Sequence, residues 1–160
     1  MKKKVLSILA DNTSGVLSRV SGLFSRRGYN IDSLTVGETE DPRYSRMTVV
    51  ARGDDQILEQ IEKQLAKLED VREVRELVDG HAVCRELVLI TVAVTPKERP
   101  ALVSVVDIFR ANIVDVETDS VMIEMTGNQA KINAFIKLLD GYEIKEMVRT
   151  GIAGLSRGAQ

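Results

Sequence analysis

The residues with chemical potential are few and mostly isolated. The lone histidine, His81, sits in the polar, glycine-containing junction Asp79–Gly80–His81–Ala82 and reads as a linker residue. Cys84 stands beside Arg85, a neighbour that favours a thiolate, yet no motif surrounds it and it reads as a free cysteine. Asp54–Asp55 and Glu69–Asp70 are charged pairs at predicted helix ends, and neither has the setting of a catalytic dyad. No cysteine–histidine cluster has zinc spacing, and neither a Walker A nor a GxGxxG sequence occurs. The one segment with a coherent chemistry is Leu9–Ala10–Asp11–Asn12–Thr13–Ser14–Gly15–Val16–Leu17. It joins a predicted strand to a predicted helix, where first-turn amides lack internal partners and carry the positive end of the helix dipole. A carboxylate gains hydrogen bonds and favourable charge there. Gly15 has no Cβ to block close approach, and Asn12 offers a carbonyl to an ammonium group and an amide to a carboxylate. Such a turn suits the zwitterionic end of a free amino acid. The same Asn12, Thr13 and Ser14 also suit capping the helix, the plainer reading of these residue types, and the spacing alone leaves both readings open.

The elements that position this turn follow from periodicity. Residues 4–10 read as a strand, and Val16, Leu17, Val20, Leu23 and Phe24 form a helical stripe that Gly28 ends. Ile31–Gly37 and Arg46–Ala51 are strands around a polar loop, Glu38–Tyr44. Gly53–Asp54–Asp55 caps a second helix with the stripe Ile57, Leu58, Ile61, Leu65 and Leu68, and Val71–Leu77 alternates as a fourth strand. The order is β-α-β-β-α-β.

The pattern is then written again. Glu86–Val94 is a strand, and Thr95–Pro96 reads as a helix start with threonine as cap and proline in the first position. Leu102, Val105, Ile108 and Phe109 align with Leu17, Val20, Leu23 and Phe24, and Asn112–Ile113 with Asn30–Ile31. Beyond a shorter hairpin near Glu117–Asp119, Gly127–Asn128 aligns with Gly53–Asp54, and Ile132, Phe135 and Leu139 with Leu58, Ile61 and Leu65. The last strand is expected near Glu143–Arg149. The expectation is an α+β chain of two ferredoxin-like βαββαβ modules, spanning 1–78 and 86–160 with a linker at 79–85. Each module is an antiparallel sheet with both helices on one face, so each leaves a bare sheet face that must pack on something. The second module has Thr95–Pro96–Lys97–Glu98–Arg99–Pro100 in place of the Asn12–Gly15 turn, and its prolines remove amide donors an anion would use.

Composition excludes several classes. Net charge is −2, with 22 Lys and Arg against 24 Asp and Glu spread over both halves, so no basic face for nucleic acid or anionic membrane is expected. Val5–Ala10 is too brief for a signal h-region and no stretch approaches a membrane span, which makes the cytoplasm the expected location.

The run DNTSGVLSRVSGLFSRRGYNIDSLTVGETEDPRYSRMT closely resembles the ACT domain of acetolactate (acetohydroxyacid) synthase small subunits, as do EQIEKQL, FRANIVDV and the closing RTGIAGLSRG. The resemblance covers nearly the whole chain. It implies a non-catalytic regulatory subunit that binds and activates a thiamine-diphosphate-dependent catalytic subunit and confers feedback inhibition by valine or a related branched-chain amino acid. It also implies a homodimer through ACT domains, with the effector between two of them. Asn12, Ser14, Gly15, Val16 and Leu17 of one chain would form one wall, and Asn30 and Ile31 of the other the facing wall. Leu9, Val16 and Ile31 would supply an apolar recess. No cofactor is expected in this chain; thiamine diphosphate, Mg²⁺ and FAD are implied for the catalytic subunit. The rival readings are a stand-alone ACT sensor acting on another enzyme, and a small ferredoxin-like enzyme with a site between subunits.

Overall fold

The computed structural model describes residues 2–27 and 29–158. Gly28, expected to end the first helix, lies outside the described residues. The first module runs β1 (Lys2–Asp11), α1 (Val16–Arg26), β2 (Ile31–Glu38), β3 (Tyr44–Gly53), α2 (Asp55–Ala66) and β4 (Val71–Glu76). The second runs β5 (Ala82–Ala93), α3 (Arg99–Ile108), β6 (Asn112–Val116), β7 (Ser120–Gly127), α4 (Gln129–Leu138) and β8 (Glu143–Arg149), and a short strand β9 (Ala153–Ser156) follows. Strand order is β2-β3-β1-β4 in the first sheet and β6-β7-β5-β8 in the second, with antiparallel neighbours along both orders, and β9 also pairs with β5. Both modules are therefore ferredoxin-like βαββαβ units.

Alternation along the strands builds each core. Leu6, Ile8 and Ala10 of β1 and Met47, Val49 and Ala51 of β3 are buried against Val16, Val20, Leu23 and Phe24 of α1 and Leu58, Ile61 and Leu65 of α2. Each fully buried side chain of this size contributes about 1.5–3 kcal/mol of transfer free energy. In the second module Val88, Ile90 and Val92 with Val121, Ile123 and Met125 pack on Leu102, Val106, Ile132, Phe135 and Leu139. Phe109 meets Phe135 edge-on, with ring centroids 5.3 Å apart.

The repetition extends to irregularities. β1 carries a bulge at Leu9/Ala10 against β4, and β5 one at Thr91/Val92 against β8; β2 is bulged between Ile31 and Ser33, and β6 between Ile113 and Asp115. All four share one residue offset between modules, as inheritance from a single ancestral unit requires. Caps repeat too. Asp54 accepts from Ile57 N–H at the start of α2, and Asn128 from Lys131 N–H at the start of α4. Replacing Asn128 with alanine should lower second-module stability by about 1 kcal/mol in urea unfolding.

Two expected details are corrected. The α1/α3 alignment is off by one: Leu102 and Val106 are buried, as Val16 and Val20 are, whereas Ile108 is 77% exposed. The strand-to-helix connection of the second module is longer, which moves the helix relative to the strand. Nor does the helix begin at Pro96. Thr95 and Glu98 form a reciprocal capping box, Glu98 N–H donating to Thr95 Oγ1 and Thr95 N–H to Glu98 Oε1, and the regular helix starts only at Arg99. The Thr95 N–H and hydroxyl, both donating to Glu98 Oε1, hold the Glu98 carboxyl below the usual carboxylate range.

The domain boundaries also differ from 1–78, 79–85 and 86–160. One compact unit comprises residues up to Cys84 together with those from Ile152 onward; the other is Arg85–Gly151. Ala82–Arg85, expected as linker, is already strand. Residues 152–158 join the first module because β9 pairs with β5, Arg157 N–H bonds His81 O, and Ser33, Thr35 and Thr48, on the sheet face away from the helices, hydrogen-bond to them. Part of that bare face is thus covered by the chain's own C-terminal segment. No helix among the described residues is long and apolar enough to cross a membrane.

Candidate functional site

The turn from β1 into α1 is anchored on both sides. Asp11 N–H donates to Asp70 O and Asn12 N–H to Arg43 O, each at 2.7 Å. Asp11 takes two hydrogen bonds of 2.8 Å from Arg72, whose guanidinium holds the Asp11 carboxyl below the usual carboxylate range. A depressed folded pKa means the pair contributes above the unfolded value of about 3.9 and fades as pH falls through the lower folded one. Arg72→Met should return the Asp11 midpoint to about 3.9, read by NMR titration of its carboxyl carbon.

Gly15 is the residue on which α1 begins. Its backbone is left-handed, at φ 86 and ψ −7, and no side chain caps the helix. Asn12, Thr13 and Ser14 are exposed, and none of them bonds a first-turn amide. The capping reading of these residues is thereby set aside. The contrast is internal, since α2 and α4 carry side-chain caps and α3 is preceded by the Thr95–Glu98 box. No acidic residue occupies the first turn of α1 either, so the helix carries no acid of its own there to offset the positive end of its dipole.

Arg19, one turn along, completes the setting. Its backbone N–H bonds Gly15 O, its Nε donates to Asp70 at 2.7 Å, and a Cβ built on Gly15 would lie 3.2 Å from its guanidinium. The sequence reading missed Arg19, although its i+4 spacing from Gly15 places it on the same helix face. It also missed Arg72 and Asp70, which only the fold brings near.

The remaining expected residues are distributed as follows. Asn12 donates its side-chain amide to Pro42 O at 3.1 Å, which ties the turn to the β2–β3 loop. Its carbonyl oxygen is the group left for an ammonium partner. Ser14 is exposed, Leu17 is 42% exposed and Val16 is buried in the core. The expected recess of Leu9, Val16 and Ile31 does not form within one chain. Leu9 alternates with the core residues Ile8 and Ala10 and lies on the sheet face away from α1, whereas Ile31 packs at the far end of the sheet. Leu17 is the apolar side chain available beside the turn.

Asn30 is exposed and Ile31 half-buried at the start of β2. Just before them, Tyr29 packs its ring where a Cβ on Gly53 would stand at 2.7 Å, so that glycine sets how closely the ring approaches β3. Register separates the two expected walls. Ile31 pairs with Ala51, which faces Lys4, while the Gly15 turn follows Asp11. Seven residues of strand, about 23 Å, lie between them.

The two halves of the chain match two family descriptions, "AHAS small subunit-like ACT domain" over residues 6–73 and "Small subunit of acetolactate synthase" over residues 85–158. The chain belongs to the acetolactate synthase small-subunit family. A probable acetolactate synthase small subunit of Methanothermobacter thermautotrophicus is 49% identical, covering 98% of this chain and 94% of the relative. The acetolactate synthase isozyme 3 small subunit of Escherichia coli is 46% identical over 98% of this chain and 96% of its own length. The crystal structure of the acetolactate synthase small subunit from Thermotoga maritima superposes with a TM-score of 0.90 at 40% identity, covering all of both chains. As members of the acetolactate synthase small-subunit family do, the chain carries an ACT module first and a second ferredoxin-like module behind it.

Proposed function

We propose that this chain is a regulatory subunit that binds and activates the acetolactate synthase catalytic subunit and makes it sensitive to valine. The observation that carries the reading is the uncapped start of α1 behind Gly15, an amide cluster with the Arg19 guanidinium beside it and no acid in its first turn. A free amino acid brings the missing anion. Its ammonium group meets the Asn12 carbonyl, and a short branched side chain lies against Leu17.

The second wall comes from another copy. β2 is an edge strand, with no partner on its outer side among the described residues. Two β2 edges paired antiparallel across a two-fold axis bring the start of one β2 to the end of the sheet where the other chain's Gly15 turn lies. Asn30 and Ile31 then face Asn12–Leu17 across the dimer. A pocket of this kind separates valine from leucine or isoleucine by about 1–3 kcal/mol, one methylene's worth. By linkage, an effector that binds one dimer arrangement better changes the catalytic partner's state by that difference, typically about 1–3 kcal/mol. Thiamine diphosphate, Mg²⁺ and FAD belong, in this reading, to the catalytic chain, and the complex works in the cytoplasm.

Reconstitution tests the proposal. Mixed with a purified acetolactate synthase catalytic subunit, this protein is expected to co-elute with it, raise its activity and render it inhibitable by valine. Absence of both co-elution and stimulation rules the reading out.

A further inference from the structure

Residues 152–158 lie on the first module, where β9 pairs with β5 and side chains of the strands beneath add further hydrogen bonds. Ile152 N–H donates to Ser33 Oγ at 3.4 Å, and Ile152 O accepts from Thr35 Oγ1 at 2.7 Å. Gly154 N–H donates to Thr48 Oγ1 at 3.2 Å, and Arg157 N–H to His81 O at 2.8 Å. Ile152 is buried, as are Thr48 and Ser7 on that face of the sheet. Gly154 is required for the fit, since a Cβ there would stand 2.8 Å from both Cys84 Sγ and Leu77 Cδ1.

The segment is nevertheless flanked by open space. A cavity of about 600 Å³ is lined by Thr35, Gly37, Arg46 and Thr48 on one side and by Gly154 and Leu155 on the other. The chain on either side of the segment is unequal in stiffness. Upstream, Arg149 is ion-paired to the buried Glu86 at 2.5 Å, and Thr150 exchanges two hydrogen bonds with Leu87. Next comes Gly151 at φ 85, a conformation that glycine adopts freely. Then Ile152 is gripped by Ser33 and Thr35, on the same strand as Ile31 and directly past the Ile31/Ser33 bulge.

An anchored strand, a glycine pivot and a segment held by β5 and by the hydroxyls of Ser33, Thr35 and Thr48 thus stand in series, ending two residues from the wall assigned above to the effector. We infer that residues 152–158 are a clasp that relays occupancy of the effector wall on β2 to the second module through Gly151. The inference rests on the effector reading; it adds the route by which that site is heard.

The test compares wild type with Gly154→Val, which cannot seat, and with Ser33→Ala/Thr35→Val, which removes hydroxyls and adds no bulk. Hydrogen exchange of the 152–157 amides reports seating, calorimetry reports valine binding, and the reconstituted holoenzyme reports inhibition. Both variants are expected to exchange these amides about tenfold faster or more, to bind valine still, and to need about tenfold more valine for half-inhibition. In wild type, saturating valine should change the same exchange rates. If the clasp is released and the half-inhibitory valine concentration is unchanged, the relay is overturned. If the hydroxyl variant leaves exchange unchanged, the grip on Ile152 is not what holds the clasp, and the inference fails there. A wild-type protein that binds no valine overturns instead the effector reading beneath it, a result the calorimetry isolates.

Discussion

Gly15→Asp is expected to abolish the response to valine while leaving the chain folded. The substitution places a carboxylate at the mouth of the uncapped first turn, where the effector's own carboxylate is proposed to sit. Left-handed backbone at φ 86 costs a side chain about 1–2 kcal/mol, and aspartate is among the residues that tolerate it. The new Cβ meets only the far end of Arg19, a flexible side chain that gains a second acid to pair with. Valine would face a seat already filled by like charge, a loss of about 3 kcal/mol or roughly a hundredfold in affinity. Calorimetry and inhibition of the reconstituted enzyme measure it. Gly15→Ala is the control, carrying the backbone cost without the carboxylate, and should weaken binding by clearly less. Equal loss in the two variants would assign the effect to backbone strain and remove the carboxylate from the argument.

The second large effect is structural. Phe24→Ala should destabilise the first module by about 3–5 kcal/mol, the usual cost of emptying a fully buried aromatic site. Phe24 has no exposed surface and lies on the face of α1 that also buries Val16, Val20 and Leu23. Domains of this size hold only about 5–15 kcal/mol in total, so the variant stands near the edge of folding. Its unfolding midpoint in urea, followed by circular dichroism, should fall steeply, and valine binding should fall with it, because the same helix face fixes where Gly15 sits. A loss below about 1 kcal/mol would mean that α1 is not seated as described.

The sequence was most informative where local chemistry and long-range packing agree. The second helix of each module was readable at its start because a short polar cap precedes a stripe at 3.6-residue spacing; Asp54 caps as expected, and Asn128 caps at the aligned position. The first helices were harder. A stripe at i, i+3 and i+4 fits two adjacent faces, and the alignment of Leu17 with Leu102 chose the wrong one, as the exposure of Ile108 shows. Around the candidate turn, the glycine was legible because backbone approach is a local property. The ion pairs that frame it were not, since Asp11 meets Arg72 across 61 residues and Arg19 meets Asp70 across 51. The same limit hid β9, four residues without a turn signal that pair with β5 and meet the Thr48 hydroxyl 106 positions away.

That last strand has a consequence for how the protein is made. The first module leaves the ribosome early, but the segment that covers part of its open face is encoded some 68 residues after Cys84. At about 5–20 residues per second, Ser33, Thr35 and Thr48 wait roughly 3–14 s for their C-terminal partners. During that interval the nascent chain presents an unfinished sheet face next to an unpaired β2 edge. If β2 edges pair as proposed, a second nascent copy on the same message has those seconds in which to do so before either face is closed.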